Sequence, residues 1–134
     1  MRVLALDYGS ARCGCALSDP TGTLATPIEV VARPATKRGL ARVATLVSKH
    51  DVERVVVGLP LSLSGGDSAQ TEEARAFAAR LRERLRVPVE LFDERFTTTL
   101  AQRSAVAGAS AAEDSLAAAH LLEGWLASQP TGAP

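Results

Sequence analysis

The chain opens on two short apolar runs, "RVLALDY" and "CGCALSD", separated by the polar "GSAR". That pattern predicts a strand, a turn and a second strand paired as a hairpin. "LATPIEVV" predicts a third strand, and Pro27, which has no amide proton to donate, suits an edge or a bulge. From Thr36 to His50, Leu40, Val43, Ala44 and Val47 recur at helical spacing behind a threonine that can cap the first turn. "VERVVVGLP" is a short continuous apolar run, the pattern of a strand covered on both faces, and it opens into the loop "LSLSGGD". From Asp67 to Arg86, Ala74, Phe77, Ala78, Leu81 and Leu85 form an apolar stripe, with the arginines of "RLRERLR" on the outer side. "VPVELF" predicts a fifth strand. "DERFTTTLAQRSAVAG" leads into a short helix ending near Gly108, and a last helix runs from about Ala111 to Ala127. Three strands followed by alternating helices and strands predict an α/β fold. Its five-stranded sheet is mixed, antiparallel first and parallel later, with helices on its faces.

Composition narrows this picture without redirecting it. At 134 residues and 46% hydrophobic content the chain has the size of one compact domain, able to bury roughly two-thirds of its unfolded surface. Fifteen basic side chains balance fifteen acidic ones, so no global field favours nucleic acid, membrane or an acidic partner, and any such preference must be local. No apolar run approaches the ~18 residues of a membrane span, and no leader pattern follows Met1. These features predict a cytoplasmic protein with no membrane partner. Cys13 and Cys15 stand two apart, which on a strand puts both on one side as buried thiols rather than as a redox or zinc pair.

The charges that break the pattern carry the chemistry. Asp7 closes the first strand on the side of Val3 and Ala5, at the rim of the core. A strand-end aspartate before glycine serves a plain hairpin, a phosphate-gripping loop or one wall of a metal site. Glu94 closes the fifth strand just after Asp93, and alternation turns the two to opposite sides. In the last helix Ser110 and Glu113 match a capping box, which accounts for Glu113. Asp114 is left over, on the helical stripe of Ala118, Leu121 and Trp125 that packs on the sheet. Three carboxylates brought together repel one another unless a divalent cation with oxygen ligands bridges them. Magnesium or manganese suits such a set, and a pair of such ions roughly 4 Å apart can activate water and stabilise a departing phosphodiester oxygen.

The segments "LALDYGSARCGCALSD", "VVVGLPLSLSGGDSAQTEEARAFAARL", "LFDERFTTTLAQR" and "EDSLAAAHLLEGWL" resemble, in order, the motifs of the YqgF/RuvX family. These are RNase H-like proteins associated with Holliday junction resolution and with maturation of the 5′ end of precursor 16S ribosomal RNA. The resemblance covers nearly the whole chain and implies an RNase H-like fold. It implies a single nuclease domain over residues 1–128 and a flexible C-terminal tail over 129–134. It also implies a metal-dependent nuclease whose catalytic and metal-binding residues are Asp7, Glu94 and Asp114. Magnesium or manganese, as two ions, would be the cofactor. Structured nucleic acid, either pre-rRNA or branched DNA, would be the partner, with ribosomal particles a further partner and a monomer or homodimer as the assembly.

Arg12, Arg95, Gly9 and Ser64 are the candidate substrate-binding residues, with Arg103 close by. Glycines ahead of a helix N-terminus, as in "LSLSGGDSAQ", expose amides to an anion or simply form a connection. Arg75, Arg80, Arg82, Arg84 and Arg86 form either a second phosphate track or a solvated helix face. His50 and His120 look peripheral. Two departures from the family pattern stand out. Ala11 precedes Arg12 where a lysine is usual, and the stretch before the last helix is the neutral "AGASAA" rather than basic. Fewer phosphate contacts predict weaker nucleic-acid binding. Two other readings compete. "DYGSARCG" also resembles the phosphate hairpin of the actin, Hsp70 and sugar-kinase superfamily, but that fold needs two domains to close on ATP. The other is a non-catalytic RNA- or ribosome-associated binding protein of the same fold.

Overall fold

The computed structural model describes residues 1–60, 68–93 and 111–129, with side chains from residue 115 onward in the last segment. Five strands form one sheet: β1 (Val3–Asp7), β2 (Arg12–Ser18), β3 (Ala25–Ala32), β4 (Arg54–Leu59) and β5 (Val89–Asp93). Their order across the sheet is β3-β2-β1-β4-β5. β1 pairs antiparallel with β2 and β2 with β3, whereas β1 with β4 and β4 with β5 are parallel. This is the mixed sheet that the order of apolar runs predicts. Pro27 lies on the edge strand β3 opposite Ala16, beside a register shift at Cys15/Ala16, so edge and bulge accommodate it together.

Strand alternation divides the core in two. Leu4, Leu6, Cys13, Cys15, Val55 and Val57 line one face, under α1 (Lys37–Lys49) and α2 (Ala69–Arg84). Val3, Ala5, Ala16 and Val56 line the other, under α3 (Ala111–Ser128), which contributes Ala118, Leu121, Leu122 and Trp125. Burying Leu121, Leu122 and Trp125 contributes about 1.5–3 kcal/mol each, which anchors α3 against the sheet. Cys13 and Cys15 are free and fully buried on the same face, as their spacing predicts.

Both helix starts that are described in full have side-chain caps. Thr36 accepts the Gly39 amide at 3.1 Å and Ser68 accepts the Thr71 amide at 3.3 Å, each using one of the unpaired donors of a first turn. The buried positions of α1 are Gly39, Leu40, Val43 and Leu46; Ala44 and Val47 are half-buried, so its inner stripe is turned slightly from the predicted one. Gln129 binds back to the end of α3 through the Leu126 and Trp125 carbonyls at 3.2 Å each, so the helix keeps hold of the first residue expected in the tail. The short helix predicted before Gly108 and the cap at Ser110 lie outside the described residues. Among the described residues no helix is long and apolar enough to cross a membrane.

Candidate active site

Asp7 is the last residue of β1 and pairs with Gly14 of β2. The residue before it, Leu6, pairs with Val57, so the next position across β4 is Gly58. The half-buried carboxylate is thus flanked along the sheet by two glycines, and neither strand neighbour brings a side chain. On alternation Asp7 follows Val3 and Ala5 onto the α3 face, while Tyr8 turns the other way and stacks on Phe77 of α2 with ring centroids 4.8 Å apart. Burial and the nearby Glu73 carboxylate push the Tyr8 phenol above its ordinary pKa, so it stays a neutral core side chain.

The turn after Asp7 is tight. A Cβ on Gly9 would stand 2.7 Å from the Arg12 carbonyl oxygen, so a larger residue cannot enter without opening the hairpin. Close backbone approach is therefore a structural reason for the glycine that the sequence singles out as a binding residue. Arg12 opens β2 with an exposed side chain, level with Ala32 of β3.

The other end of the geometry is set by α3. Ser115 donates to the Glu29 carbonyl at 3.4 Å; Glu29 pairs with Cys15, and Cys15 pairs with Leu6. Ten residues on, the Trp125 ring lies 6.0 Å from the guanidinium of Arg54, the residue that pairs with Val3. The helix therefore runs antiparallel to β1, starting at the level of Leu6 and Asp7 and ending at the level of Val3. Asp114, whose side chain is not among those described, occupies the helix position just before Ser115. β5 ends at Asp93 opposite Leu59. Within it Phe92 packs against the α3-face cluster and Leu91 against the other, so Asp93 has the parity of Leu91.

Three helices begin at this same sheet edge. α1 follows the end of β3, where the Arg33 amide binds the Ala11 carbonyl at 2.9 Å. α2 is tied by the Thr71 hydroxyl to the Pro60 carbonyl at 2.8 Å, just past the end of β4. With α3 they aim the positive ends of three helix dipoles at the carboxyl ends of the parallel strands, where α/β folds bind anionic ligands.

Of the residues that the sequence nominates, Asp7, Gly9 and Arg12 thus come together at one end of β1. Glu94, Arg95, Ser64 and Arg103 lie outside the described residues. Among the described residues no three His, Cys, Asp or Glu side chains form a group able to hold a metal ion. The arginines of α2 do not act as one track. Arg75 pairs with Glu72 at 3.4 Å, Arg82 binds the Val89 carbonyl at 2.9 Å, and Arg80 reaches the Ala35 carbonyl. His120 Nδ1 lies at hydrogen-bond distance, 3.0 Å, from Glu123 Oε1 one turn along α3. Gly14 and Gly58 escape sequence reasoning, because cross-strand register brings them beside Asp7 and no local motif marks it.

Comparison with known proteins places this arrangement in a family. The family model described as "RuvX: Holliday junction resolvase" matches residues 1–128. A protein from Myxococcus xanthus is 42% identical over 132 residues, covering 94% of this chain and 87% of its own length. One from Mycobacteroides abscessus is 45% identical over 133 residues, covering 93% and 80%. Both carry the name "Putative pre-16S rRNA nuclease". Among solved structures, Thermus thermophilus RuvC in complex with a Holliday junction substrate superposes with a TM-score of 0.63 at 18% identity, covering 93% of this chain and 94% of that one. The fowlpox virus resolvase bound to junction DNA gives 0.56 at 12% identity, covering 96% and 98%. These two likenesses establish the RuvC-type, RNase H-like fold. The family match spans the strand-end aspartate, the mixed sheet and the covering helix, and by it the chain belongs to the RuvX family.

Proposed function

We propose that this protein is a metal-dependent nuclease that hydrolyses phosphodiester bonds in structured nucleic acid. Its task would be 5′-end maturation of pre-16S ribosomal RNA, resolution of Holliday junctions, or both. The observation that carries the reading is that Asp7 and the start of α3, which Ser115 ties to Glu29 of β3, lie at the same end of the sheet. Asp114 stands at that end of α3, and Glu94 follows Asp93, the last residue of β5, in the sequence. The names of the relatives and the family description support a nuclease in the same way.

A carboxylate between two glycines suits a hard divalent cation, which needs oxygen ligands and room for its water shell. Asp7, Glu94 and Asp114 would hold Mg2+ or Mn2+, as one or two ions. Bound there, the metal supplies Lewis-acid activation of a water and stabilisation of the leaving oxygen. The chain's own groups position the substrate. Arg12 and Arg95 would hold phosphate oxygens on either side of the scissile bond, and backbone amides near Gly9 and Ser64, with the converging helix N-termini, would receive them. Asp93, of opposite parity, is left out of the site.

The test is cleavage of a pre-16S rRNA 5′ fragment and of a four-way DNA junction, each with Mg2+, with Mn2+ and with a chelator. The expected outcome is cut product from at least one substrate with metal and none with chelator. Binding to either substrate without cleavage under any metal would reject the enzyme and leave a nucleic-acid binding protein.

A further inference from the structure

α1 begins with charges of the wrong sign for its dipole. Its first turn contains Lys37 and Arg38 and no acidic residue, with Arg33 just ahead of the Thr36 cap. Cations at a helix N-terminus cost stability, so a local rule is broken here, as happens where a surface serves a ligand. Across from them Arg80 and Arg84 project from α2, and the two helices flank an open groove of about 800 Å³ in which Glu83 is the one acidic lining residue among those described. All four cations are exposed. Arg80 is held across the groove mouth by the Ala35 carbonyl, whereas Lys37, Arg38 and Arg84 have no ion-pair partner among the described residues. In a chain of formal net charge zero, this is a local concentration of four positive charges against one negative.

The two helices that line the groove are each linked to the active-site edge. The turn from Gly9 to Arg12 that follows Asp7 accepts the amide of Arg33, in the segment leading into α1, at Ala11, and Tyr8 joins the same turn to α2 through Phe77. We propose that the α1–α2 groove is a phosphate-binding track for the nucleic-acid substrate. The substrate's backbone crosses the β1–β2 turn from the Asp7 side and lies along Lys37, Arg38, Arg80 and Arg84. The proposal rests on the nuclease reading and places substrate contacts on the opposite face of the sheet from α3. That would replace the contacts missing from the neutral "AGASAA" stretch. Ammonium and guanidinium groups without carboxylate partners suit backbone phosphates, and the contacts of both helices with the turn after Asp7 favour the substrate over an acidic protein.

The experiment measures binding of a labelled RNA hairpin with a 5′ single-stranded extension, in chelator, across a salt series. It compares the natural protein, Lys37→Ala/Arg38→Ala, and the charge-matched control Lys49→Ala/Arg86→Ala. The groove variant should lose about one to two units from the slope of log affinity against log salt and bind severalfold more weakly, while the control keeps the natural slope. Its melting temperature should be no lower than the natural one, because two cations are removed from the positive end of a helix. A natural slope and affinity in the groove variant, or an equal loss in the control, would overturn the groove. If the natural protein still cuts nucleic acid in that event, the nuclease reading stands without it. If the natural protein neither binds nor cuts RNA or junction DNA, the nuclease reading falls and takes the groove with it.

Discussion

Asp19 turns the β2–β3 connection into a clasp. Its carboxylate accepts the Thr23 and Leu24 amides at 2.8 Å each, together with the Thr21 hydroxyl. These bonds, the Leu24 amide first, hold its pKa well below the ordinary aspartate range. A folded pKa below the unfolded one adds stability above the unfolded value, and that contribution is lost as pH falls through it toward the folded value. Asp19→Ala should therefore lower the melting temperature at pH 7, and the gap to the natural protein should close as pH drops below about 4. Thermal melts of both proteins across that range check it, and a gap independent of pH would remove the carboxylate's charge from the account. The sequence did not mark this clasp, since its bonds follow a loop path with no period. Asp7 was legible because alternation is periodic: Val3 and Ala5 share the α3 face in the sheet, and Asp7 is the next residue of that parity in β1.

At the scale of elements, the start of α1 depends on one missing side chain. A Cβ on Gly39 would come within 2.6 Å of Pro34 Cα and against the Arg33 and Pro34 carbonyls, all of them backbone. Arg33 itself takes a left-handed φ of 43°, which folds the chain back onto the helix. Gly39→Ala would gain up to about 1 kcal/mol in helix propensity. It would lose about 1–3 kcal/mol to overpacking against backbone that cannot rotate away. The clash should win, and chemical denaturation should show a net loss of about 1 kcal/mol or more; a stabilised variant would mean that α1 shifts freely. Helices with a clear apolar stripe, α1 and α2, were readable from spacing alone, as was the capping threonine. The turn of the α1 stripe toward Leu46 was not, because the seat of Gly39 on Arg33–Pro34 sets the helix's rotation. The groove between the two helices was equally hidden. Single-helix patterns show Lys37 and Arg38 or Arg80 and Arg84, and only the packing of α1 beside α2 puts them on one surface.

For the whole molecule, the sheet's mixed topology does the assembling. Antiparallel β1 and β2 bring Asp7 to the glycine turn, parallel β4 and β5 end at the same edge, and α3 starts there. The order of apolar runs was enough to predict this architecture, and the leftover charges were enough to nominate Asp7, Glu94 and Asp114. Which strand residues flank Asp7 depends on register, which no local pattern encodes. On the proposed function these three carboxylates form one cleavage site and Asp93 does not belong to it. The most direct measurement is the single-turnover cleavage rate, with metal, of Asp7→Asn, Glu94→Gln, Asp114→Asn and Asp93→Asn beside the natural protein. The rate should fall about a hundredfold or more in each of the first three and stay within about tenfold of natural in Asp93→Asn. Near-natural cleavage by any one of the first three, or a loss in Asp93→Asn as deep as theirs, would contradict it.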